Sequence, residues 1–594
     1  MKLIIDVETN GFLDKLDKIH CVVFKDIDTN IIYSYNPDNL EDALELLKKA
    51  TLLIGHNITG FDIPAIKKVF NYDYRGAVFD TLLCSRLIWT NRQELDFKLK
   101  EVPPKLIGKH SLESYGYRVG LRKGDFKENN TFDIWTQEMQ DYCELDVEVT
   151  HKLFLEIVET KYSPDAIKLE HDFAVWINKQ IIHGVPFNES LAEDLLSILI
   201  KRRLELEEKL SLVFSPINKS VGFKTYKKDN KKKGIRAGVP VEQFKTEVFN
   251  PNSRDQIAYR LKGLGWKPKD FTATGKAEVN EKILNSLTYP EAKLISEYLM
   301  VQKRLSQLSE GEQAYLKLTK KGKIHGQIIT NGANTGRCTH FAPNLAQCVA
   351  TGKEYGREFR SLFHSPSDMV FCGIDFSGLE LRVLAHYLGV YDNGDFSKVL
   401  LEDDIHSQNQ KILGLSTRNK AKTFIYAYIF GSGNQRLSEI LEVNLGEAKR
   451  IRETFEKKLP ALKLLKDAVI SKHRRLGYIK GLDGRKLIGR AEFSLLNLLI
   501  QSAGALLVKK GTIILNEDLS KEGFKFGRDY AMVLHVHDEM QFIVDKDKIE
   551  TFKEISKGLF NKTRDHFNFR CQLDGEIKVV SSLIKKTFRY FFEC

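Results

Sequence analysis

The segment VLHVHDEMQFIV (residues 533–544) constrains the fold of this chain more than any other. Its flanking runs, VLHV and MQFIV, have the composition of buried β-strands. Between them stand His537, Asp538 and Glu539, whereas a turn selected for tight geometry alone usually contains Asn-Gly or Asp-Gly. The segment therefore predicts a hairpin whose tip carries acids for their chemistry.

A second acidic segment, VFCGIDFSGLELR, is remote in sequence from this hairpin. Asp375 ends its apolar, strand-like run, and Glu380 and Arg382 follow in a helical pattern. Carboxylates crowded together are costly unless cations bind between them. We expect Asp375 and Asp538 to converge on two Mg²⁺ ions, an arrangement suited to phosphoryl transfer.

A separate set of acids lies in the first 150 residues. Asp6 and Glu8 are two apart in a strand-like run, so both carboxylates project from one face. The segment HNITGFD places Asp62 after a strand and loop, and YCELD places Tyr142 and Asp146 on one helix face. Four such acids suit a second pair of Mg²⁺ ions for attack by water on a phosphodiester, with Tyr142 orienting the water.

The segment RNKAKTFIYAYIFGSG predicts a helix with a cationic and aromatic face. Arg418, Lys422 and Tyr426 recur every four residues, each about 6 Å further along the axis. A nucleoside triphosphate has a matching layout, and the arginine fork suits a terminal phosphate. A solvated helix face that carries the same charges by chance is the alternative interpretation.

Composition narrows the class of protein. The 594 residues carry a net charge of +12 and are 42% hydrophobic, which indicates a globular chain that favours a polyanionic partner such as nucleic acid. Eight cysteines without a CxxC pair indicate reduced thiols rather than disulfides. Because we find neither a continuous apolar run of about 18 residues nor a targeting segment, we expect a cytoplasmic protein without membrane association.

A basic insertion interrupts the helical region that follows the first domain. Strand-like and helical patterns alternate over residues 1–160, and helices dominate from about 165 to 215. Residues 219–236 then contain eight basic residues and one acidic residue, with Phe223 and Tyr226 among them. This insertion is either a solvated linker or a contact surface, and its aromatic residues favour the second. Long helical stretches are expected from about 404 to 475 and 489 to 519.

The acidic motifs of the first 160 residues resemble those of proofreading 3′–5′ exonucleases of the DEDD type, in the subclass with tyrosine. The stretches TGRCTH, PNLAQ, SGLELR, DIHSQNQ, RNKAKTFIY, GLDGRK and HVHDE, in this order, resemble the family A DNA polymerases, most nearly the replicative enzymes of short-tailed bacteriophages of the phage T-seven type. This resemblance implies an α/β multidomain fold, with an RNase H-like exonuclease followed by a right-hand polymerase. The implied domains are the exonuclease (1–162), the thumb (163–325, with a short basic insertion at about 215–248), the palm (326–390 and 496–594) and the fingers (391–495).

The resemblance also implies a role for each matching residue. Asp375 and Asp538 would hold two Mg²⁺ ions together with the carbonyl of Phe376, and Glu539 would lie near the primer end as a further catalytic residue. The incoming dNTP would contact His406, Arg418, Lys422, Tyr426, Glu380 and Phe430. Minor-groove acceptors of the primer–template would contact Arg337, Gln501 and His537. In the exonuclease, Asp6, Glu8, Asp62 and Asp146 would hold two further Mg²⁺ ions, with Tyr142 beside them.

Two departures from the family pattern bear on function. Phe430 stands where tyrosine is usual, so the ring for template-base stacking is kept without its hydroxyl. The thumb insertion is shorter than the segment that captures host thioredoxin in the phage T-seven type. Thioredoxin as a processivity factor, direct contact with duplex DNA and a replicative helicase–primase thus remain candidate partners, with direct contact favoured. Tyr426, rather than phenylalanine, implies acceptance of dideoxynucleotides.

We therefore expect template-directed DNA synthesis from dNTPs on a primer, with 3′–5′ proofreading, in the cytoplasm of a phage-infected cell. A single-subunit RNA polymerase is one alternative, but Glu380 and the exonuclease motifs argue against it. A primer–template binding protein with only nuclease activity is another. It would have lost a metal ligand in the polymerase half, and none is lost.

Overall fold

Most predicted elements are present in the computed structural model, which describes residues 1–121 and 132–580. The strands are β1 (Lys2–Thr9), β2 (Ile19–Asp26), β3 (Ile32–Tyr35), β4 (Leu52–Gly55), β5 (Ala77–Asp80), β6 (Val185–Pro186), β7 (Ile217–Thr225), β8 (Pro240–Glu247), β9 (Thr319–Lys320), β10 (Lys323–Ile324), β11 (Gln327–Ile329), β12 (Thr339–Phe341), β13 (Met369–Phe376), β14 (Ile479–Lys480), β15 (Lys486–Leu487), β16 (Tyr530–Val536), β17 (Glu539–Asp545) and β18 (Gly575–Val580). The α-helices are α1 (Leu40–Lys49), α2 (Asp62–Phe70), α3 (Thr81–Ile88), α4 (Arg92–Asp96), α5 (Leu112–Arg118), α6 (Gln137–Glu159), α7 (Pro164–His183), α8 (Glu189–Val213), α9 (Arg254–Gly263), α10 (Glu281–Ser286), α11 (Pro290–Leu305), α12 (Tyr315–Leu318), α13 (Gly356–Ser361), α14 (Leu379–Leu388), α15 (Asp395–Glu402), α16 (Ile405–Leu413), α17 (Arg418–Ile429), α18 (Asn434–Leu441), α19 (Leu445–Lys458), α20 (Pro460–Leu476), α21 (Leu495–Lys521) and α22 (Ile549–His566).

The chain divides into two units. The first unit comprises residues 1–185, 325–350 and 365 onward, and the second comprises residues 186–324 and 351–364. The first unit thus contains both acidic regions identified in the sequence, and the second contains the basic insertion.

A five-stranded sheet of order β3-β2-β1-β4-β5 organises the amino-terminal part of the first unit. Strand β1 lies near its centre, antiparallel to β2 and parallel to β4. One face of β1 buries Leu3, Ile5 and Val7 against α1 and α2. Ile4 projects from the opposite face and packs among residues of α6, because side chains alternate along a strand. Asp6 and Glu8 share the face of Ile4, so α6 closes over them.

A four-stranded antiparallel sheet of order β16-β17-β13-β18 carries the second set of acids. Ile374, Phe376, Met540 and Phe542 project from one face into the main core, which helices α21 and α22 cover. Side chains alternate along each strand, so Asp375 and Glu539 project from the opposite face. These two residues lie opposite each other in the register of β13 and β17. The pleat therefore separates a packed face from a face available for chemistry.

Helix α21 is the longest apolar element of the first unit. The stretch Glu492–Lys521 is long and apolar enough to cross a membrane, which the sequence analysis did not predict. However, 83% of its most apolar window is buried inside the protein. This burial is typical of a core helix.

The second unit contains the predicted basic insertion as a β-hairpin. Strands β7 and β8 pair antiparallel, with an irregularity between Ser220 and Phe223. Helices α8 and α11 pack beside each other in the same unit, and Arg202 on α8 bonds to Glu205 and Glu297. The insertion is therefore an ordered hairpin rather than a featureless linker.

Two candidate carboxylate sites

Asp375 and Asp538 converge at one end of the four-stranded sheet. Asp375 is the penultimate residue of β13, and Asp538 lies in the two-residue turn between β16 and β17. The backbone N–H of Phe376 donates to the carbonyl of Asp538 at 3.1 Å, which closes the two segments together. His537, the first turn residue, has φ of 55°, a left-handed conformation that tightens the hairpin. The two acids are therefore neighbours in the fold, and the metal ions that they would share stay a prediction.

The Asp538 carboxyl is buried in a negative environment. Burial raises the pKa of this group well above its usual range, and the nearby charges of Asp375 and Glu380 raise it further. Its Oδ1 atom is buried, and no described residue donates a hydrogen bond to it. Oxygen donors with uncompensated negative charge are the ligands that hard divalent cations prefer, so these residues fit a metal site.

Arg337 is a basic neighbour of the palm acids. Its guanidinium lies 3.6 Å from the Glu380 carboxylate, and its charge lowers the pKa of Asp538 in part. Burial, followed by the charge of Arg337, lowers the pKa of His537. Arg337, Glu380 and His537 thus lie near the acid pair, and their predicted contacts with DNA and nucleotide stay predictions.

Gln541 is a site residue that the sequence analysis did not identify. Its side-chain amide donates to Glu539, and both residues are buried on the polar face of β17. Gln541 lies opposite Gly373 in β13. The separation of two residues within a strand was the available signal, because it places Gln541 on the face of Glu539.

The amino-terminal acids also lie close together. Helix α6 carries Tyr142 and Asp146 one turn apart, both buried. Burial raises the pKa of the Tyr142 hydroxyl, and the charges of Asp146, Glu8 and Asp6 raise it further. These charges act on one hydroxyl only because the three acids lie around it. Asp6, Glu8, Tyr142 and Asp146 are therefore neighbours, and their roles in metal binding and catalysis stay a prediction.

Asp62 completes this group from the first residue of α2. Burial raises the pKa of Asp62 to about 7, and the charges of Asp80 and Asp146 also raise it. Asp80, which the sequence analysis did not identify, is fully buried at the amino-terminal cap of α3. Its carboxylate accepts hydrogen bonds from the backbone of Asn57 and Thr59, within the loop that leads to Asp62.

Cys143 is a second unforeseen neighbour of the amino-terminal acids. Its thiol lies 3.4 Å from a carboxylate oxygen of Asp6, and the donor atoms of Asp6, Glu8 and Cys143 lie within 4.8 Å of one another. The position of Cys143, directly after Tyr142 on α6, was its only sequence signal. Acidic oxygens grouped in this way fit divalent cations, as in the palm.

The cationic and aromatic helix face is present on α17. Arg418 and Lys422 occupy its first and second turns, and Tyr426 follows at the third. The Tyr426 ring lies 6.3 Å from the ring of His406 on α16 and 6.3 Å from the ring of Phe430. Phe430 caps the end of α17 and is 40% exposed, so its ring is accessible for stacking.

Asp404 occupies the fork of Arg418 in this structure. The two guanidinium–carboxylate contacts measure 2.6 and 3.0 Å, and hydrogen bonding from Arg418 holds the pKa of Asp404 below its usual range. Both side chains are exposed. A phosphate that binds Arg418 must therefore compete with this carboxylate.

For Gln501 and the carbonyl of Phe376, the structure gives a position but no contact that bears on the predicted role. Gln501 lies in the second turn of α21 and is partly exposed. Phe376 buries its ring against Phe560 at 5.1 Å, which fixes the backbone whose carbonyl is a predicted ligand. The roles of both residues stay predictions.

Comparison with known proteins identifies the family. The sequence profile of DNA polymerase family A matches residues 224–583, and that of the RNase H superfamily matches residues 3–158. The DNA-directed DNA polymerases of Enterobacteria phage T3 and Escherichia phage T7 are each 33% identical, over 97% of this chain and 99% of the relative. DNA polymerase I of Aquifex aeolicus is 26% identical over 93% of this chain and 90% of that protein.

A solved structure shares the fold. The POL domain of Pol1 from M. smegmatis, in complex with DNA primer-template and dNTP, matches with a TM-score of 0.74. The match covers 98% of this chain and 95% of that one, at 16% sequence identity. Together, the paired acids, the ordered motifs and these likenesses show that the chain belongs to DNA polymerase family A and carries an RNase H-like exonuclease domain.

Proposed function

We propose that this protein extends a DNA primer on a template and removes mispaired 3′ ends, as the replicative polymerase of a bacteriophage. The observation that carries this proposal is the junction of Asp375 and Asp538, which places two remote acids side by side. Acids held together against their mutual repulsion are typical of sites that bind cations and transfer phosphoryl groups. The phage relatives, named as DNA-directed DNA polymerases, support the same conclusion.

Mg²⁺ is the proposed cofactor, with two ions at each site. Asp375, Asp538 and the Phe376 carbonyl would hold the ions of the palm, whereas Asp6, Glu8, Asp62 and Asp146 would hold those of the exonuclease. When bound, the ions would activate the attacking oxygen and neutralise charge on the leaving oxygen. Tyr142 would orient the attacking water in the exonuclease.

The helix face on α17 would bind the triphosphate of the incoming nucleotide. Arg418 and His406 would contact the outer phosphates, and Lys422 the phosphate under attack. Binding of the phosphates would require Arg418 to leave Asp404. The return of Arg418 to this carboxylate would then favour release of the phosphates. Phe430 would stack on the template base without contributing a hydroxyl.

The sugar and the base pair would be checked by separate groups. Glu380, held by Arg337 at 3.6 Å, would lie beneath the sugar and exclude a 2′-hydroxyl together with Tyr426. Arg337, Gln501 and His537 would read minor-groove acceptors shared by all correct pairs, and Glu539 would lie near the primer end. Efficient insertion of dideoxynucleotides, lost in Tyr426→Phe, would support the role of the Tyr426 hydroxyl.

The hairpin of β7 and β8 would grip DNA directly. Residues 217–247 contain nine basic and three acidic residues, and Phe223 and Phe244 are 71% and 59% exposed. An isolated two-stranded hairpin is marginally stable in water, which favours a bound partner. The excess of basic residues favours the phosphates of DNA over thioredoxin or a helicase–primase. The proposed location is the cytoplasm of the infected cell.

A labelled primer–template in Mg²⁺ tests the proposal. Lengthening with the four dNTPs and shortening without them would support both activities. Equal incorporation of ribonucleotides would instead favour an RNA polymerase, and binding without extension would favour a nuclease that only holds DNA. Longer products on addition of thioredoxin would assign the hairpin to that protein rather than to DNA.

A further inference from the structure

Helix α7 joins the exonuclease to the palm within the first unit. It begins at Pro164, immediately after Tyr162 and Ser163, and its two sides contact different parts of the protein. One side bonds to the loop that precedes Asp62. The other bonds to the palm and to the loop between β14 and β15.

The contacts toward the exonuclease come from His171 and Asn178, two turns apart on α7. The backbone N–H of Asp80 donates to Nε2 of His171 at 2.7 Å. Because Nδ1 of His171 lies 2.8 Å from the carbonyl of Ile167, Nδ1 carries the proton and Nε2 is the acceptor. The amide of Asn178 donates to the carbonyl of Thr59 at 2.9 Å.

These contacts lead directly to Asp62. The Asp80 carboxylate accepts from the N–H of Asn57 at 3.0 Å and from the Thr59 hydroxyl at 2.7 Å. Asn57 and Thr59 belong to HNITGFD, the segment that ends in Asp62. The position of the Asp62 carboxylate thus depends on a loop that α7 holds directly at Thr59 and indirectly through Asp80.

The contacts toward the palm form a buried ionic cluster. Glu170, adjacent to His171, accepts from Lys509 of α21 at 2.6 Å and from Arg485 at 2.7 Å. Arg485 also bonds to Asp483, and all four side chains are no more than 2% exposed. Buried charges in such a cluster are costly to separate, so the cluster fixes the rotation of α7 against the palm.

A second set of hydrogen bonds connects the Glu170 cluster to α3. Arg485 donates to the Asn331 side chain at 3.2 Å, and Asn331 donates to the carbonyl of Arg86 at 3.1 Å. Arg86 lies near the end of α3, the helix that Asp80 caps at its start. Both ends of α3 are therefore attached to groups fixed by the polymerase half.

We propose that His171 and Asn178 are positioning residues of the exonuclease site, and that the Glu170 cluster fixes them to the palm. This inference rests on the proposed exonuclease activity. It implies that the polymerase half maintains the metal-binding geometry around Asp62 from outside that site.

The test compares His171→Leu, which lacks an acceptor, with His171→Gln, whose amide oxygen can replace Nε2. In His171→Leu we expect the Mg²⁺ concentration for half-maximal degradation to rise about tenfold, the usual scale for losing an outer partner of a metal site. Extension by the same protein should change less than about twofold. His171→Gln should restore most of the Mg²⁺ response, and Asn178→Ala should reproduce the defect more weakly.

Mn²⁺ binding provides a readout that is independent of turnover. In an Asp538→Ala background, which weakens the palm site, His171→Leu should lower the Mn²⁺ affinity measured by electron paramagnetic resonance about tenfold. Lys168→Ala, at an exposed position on the same helix, is the matched control and should leave both readouts unchanged.

Two results would overturn the proposal. One is an unchanged Mg²⁺ response in both His171→Leu and Asn178→Ala. The other is a parallel loss of extension and degradation that His171→Gln does not restore, which would make these residues merely structural. Failure of the wild-type protein to degrade DNA would instead remove the proposed exonuclease, so the two failures are distinguishable.

Discussion

The two acidic sites collect their carboxylates in different ways. In the palm, Asp375 and Glu539 face each other across neighbouring antiparallel strands, and one hairpin turn adds Asp538. In the exonuclease, the acids come from a strand, the start of α2 and the middle of α6. A single sheet register therefore fixes most of the palm site, whereas the exonuclease site depends on how several elements pack.

The charges around the sites differ as well. Asp62 has Asp80 and Asp146 as its charged neighbours, and its pKa is raised to about 7. Asp538 has Asp375 and Glu380 beside it but also Arg337, whose charge opposes the rise in pKa. The charge of Arg337 thus partly offsets the negative charge around Asp538, whereas only acids are among the charges that act on Asp62.

Removing one acid from each site should separate the two activities completely. Asp538→Ala should lower primer extension by about a thousandfold or more, which corresponds to about 4 kcal/mol of transition-state stabilisation. Degradation without dNTPs should persist in that variant. Asp6→Ala should show the opposite pattern, so each variant is the folding control of the other. Extension and degradation are measured on one labelled primer–template, and extension that survives Asp538→Ala would refute the assignment of the palm.

The Mg²⁺ requirement of the exonuclease should depend on pH through the proton on Asp62. A proton on Asp62 must leave before a cation binds, and its pKa of about 7 places this competition between pH 8 and pH 6. We expect the half-saturating Mg²⁺ concentration for degradation to rise about tenfold per pH unit below 7. Degradation is titrated with Mg²⁺ at three pH values, with extension as the internal reference. A flat response would show that Asp62 does not lose a proton on metal binding.

The stability of the metal-free protein should depend on pH because buried carboxyl groups lie close together at both sites. A carboxyl whose pKa is raised in the folded state stabilises the protein only while protonated, so stability is lost as pH rises from about 4 through the folded pKa. For Asp62 this window ends at about pH 7, and the raised pKa of Asp538 gives an effect of the same sign. In EDTA at pH 8, Asp62→Asn and Asp538→Asn should each raise the unfolding temperature by a few degrees. Calorimetry checks this, and added Mg²⁺ should stabilise the wild type more than either variant.

The hairpin that carries Asp538 could be predicted from sequence because local rules determine it. The composition of VLHV and MQFIV predicted two strands joined by a tight turn, and the structure has strands ending at Val536 and beginning at Glu539. The spacing of Arg418, Lys422 and Tyr426 likewise predicted one helix face. In these segments, side-chain position follows from periodicity alone.

The unforeseen residues depend on tertiary packing. Asp80 and Cys143 carry no motif of their own and reach the exonuclease site only because α3 and α6 pack against the central sheet. The Glu170 cluster joins residues from three distant segments, and no local pattern indicates which charges pair. The fork of Arg418 was predicted for a phosphate, but its occupation by Asp404 depends on the approach of α16 to α17.

The smallest expected effect concerns the DNA that both sites share. Lys231, Lys232 and Lys233 lie in a short exposed turn between β7 and β8. If each contacts one phosphate, their replacement by alanine should flatten the dependence of log affinity on log salt by about 0.9 per lysine. A charge-matched control replaces Lys553, Lys557 and Lys562, each of which is ion-paired with an acid on the first unit. Fluorescence anisotropy of a labelled primer–template measures affinity from low to high salt, and both activities are followed in parallel. Equal weakening of extension and degradation means that the hairpin holds duplex DNA for both sites. Weakening of extension alone means that the hairpin contacts DNA only when the primer end is at the polymerase site. A dependence of log affinity on log salt equal to that of the control excludes contact between these lysines and DNA.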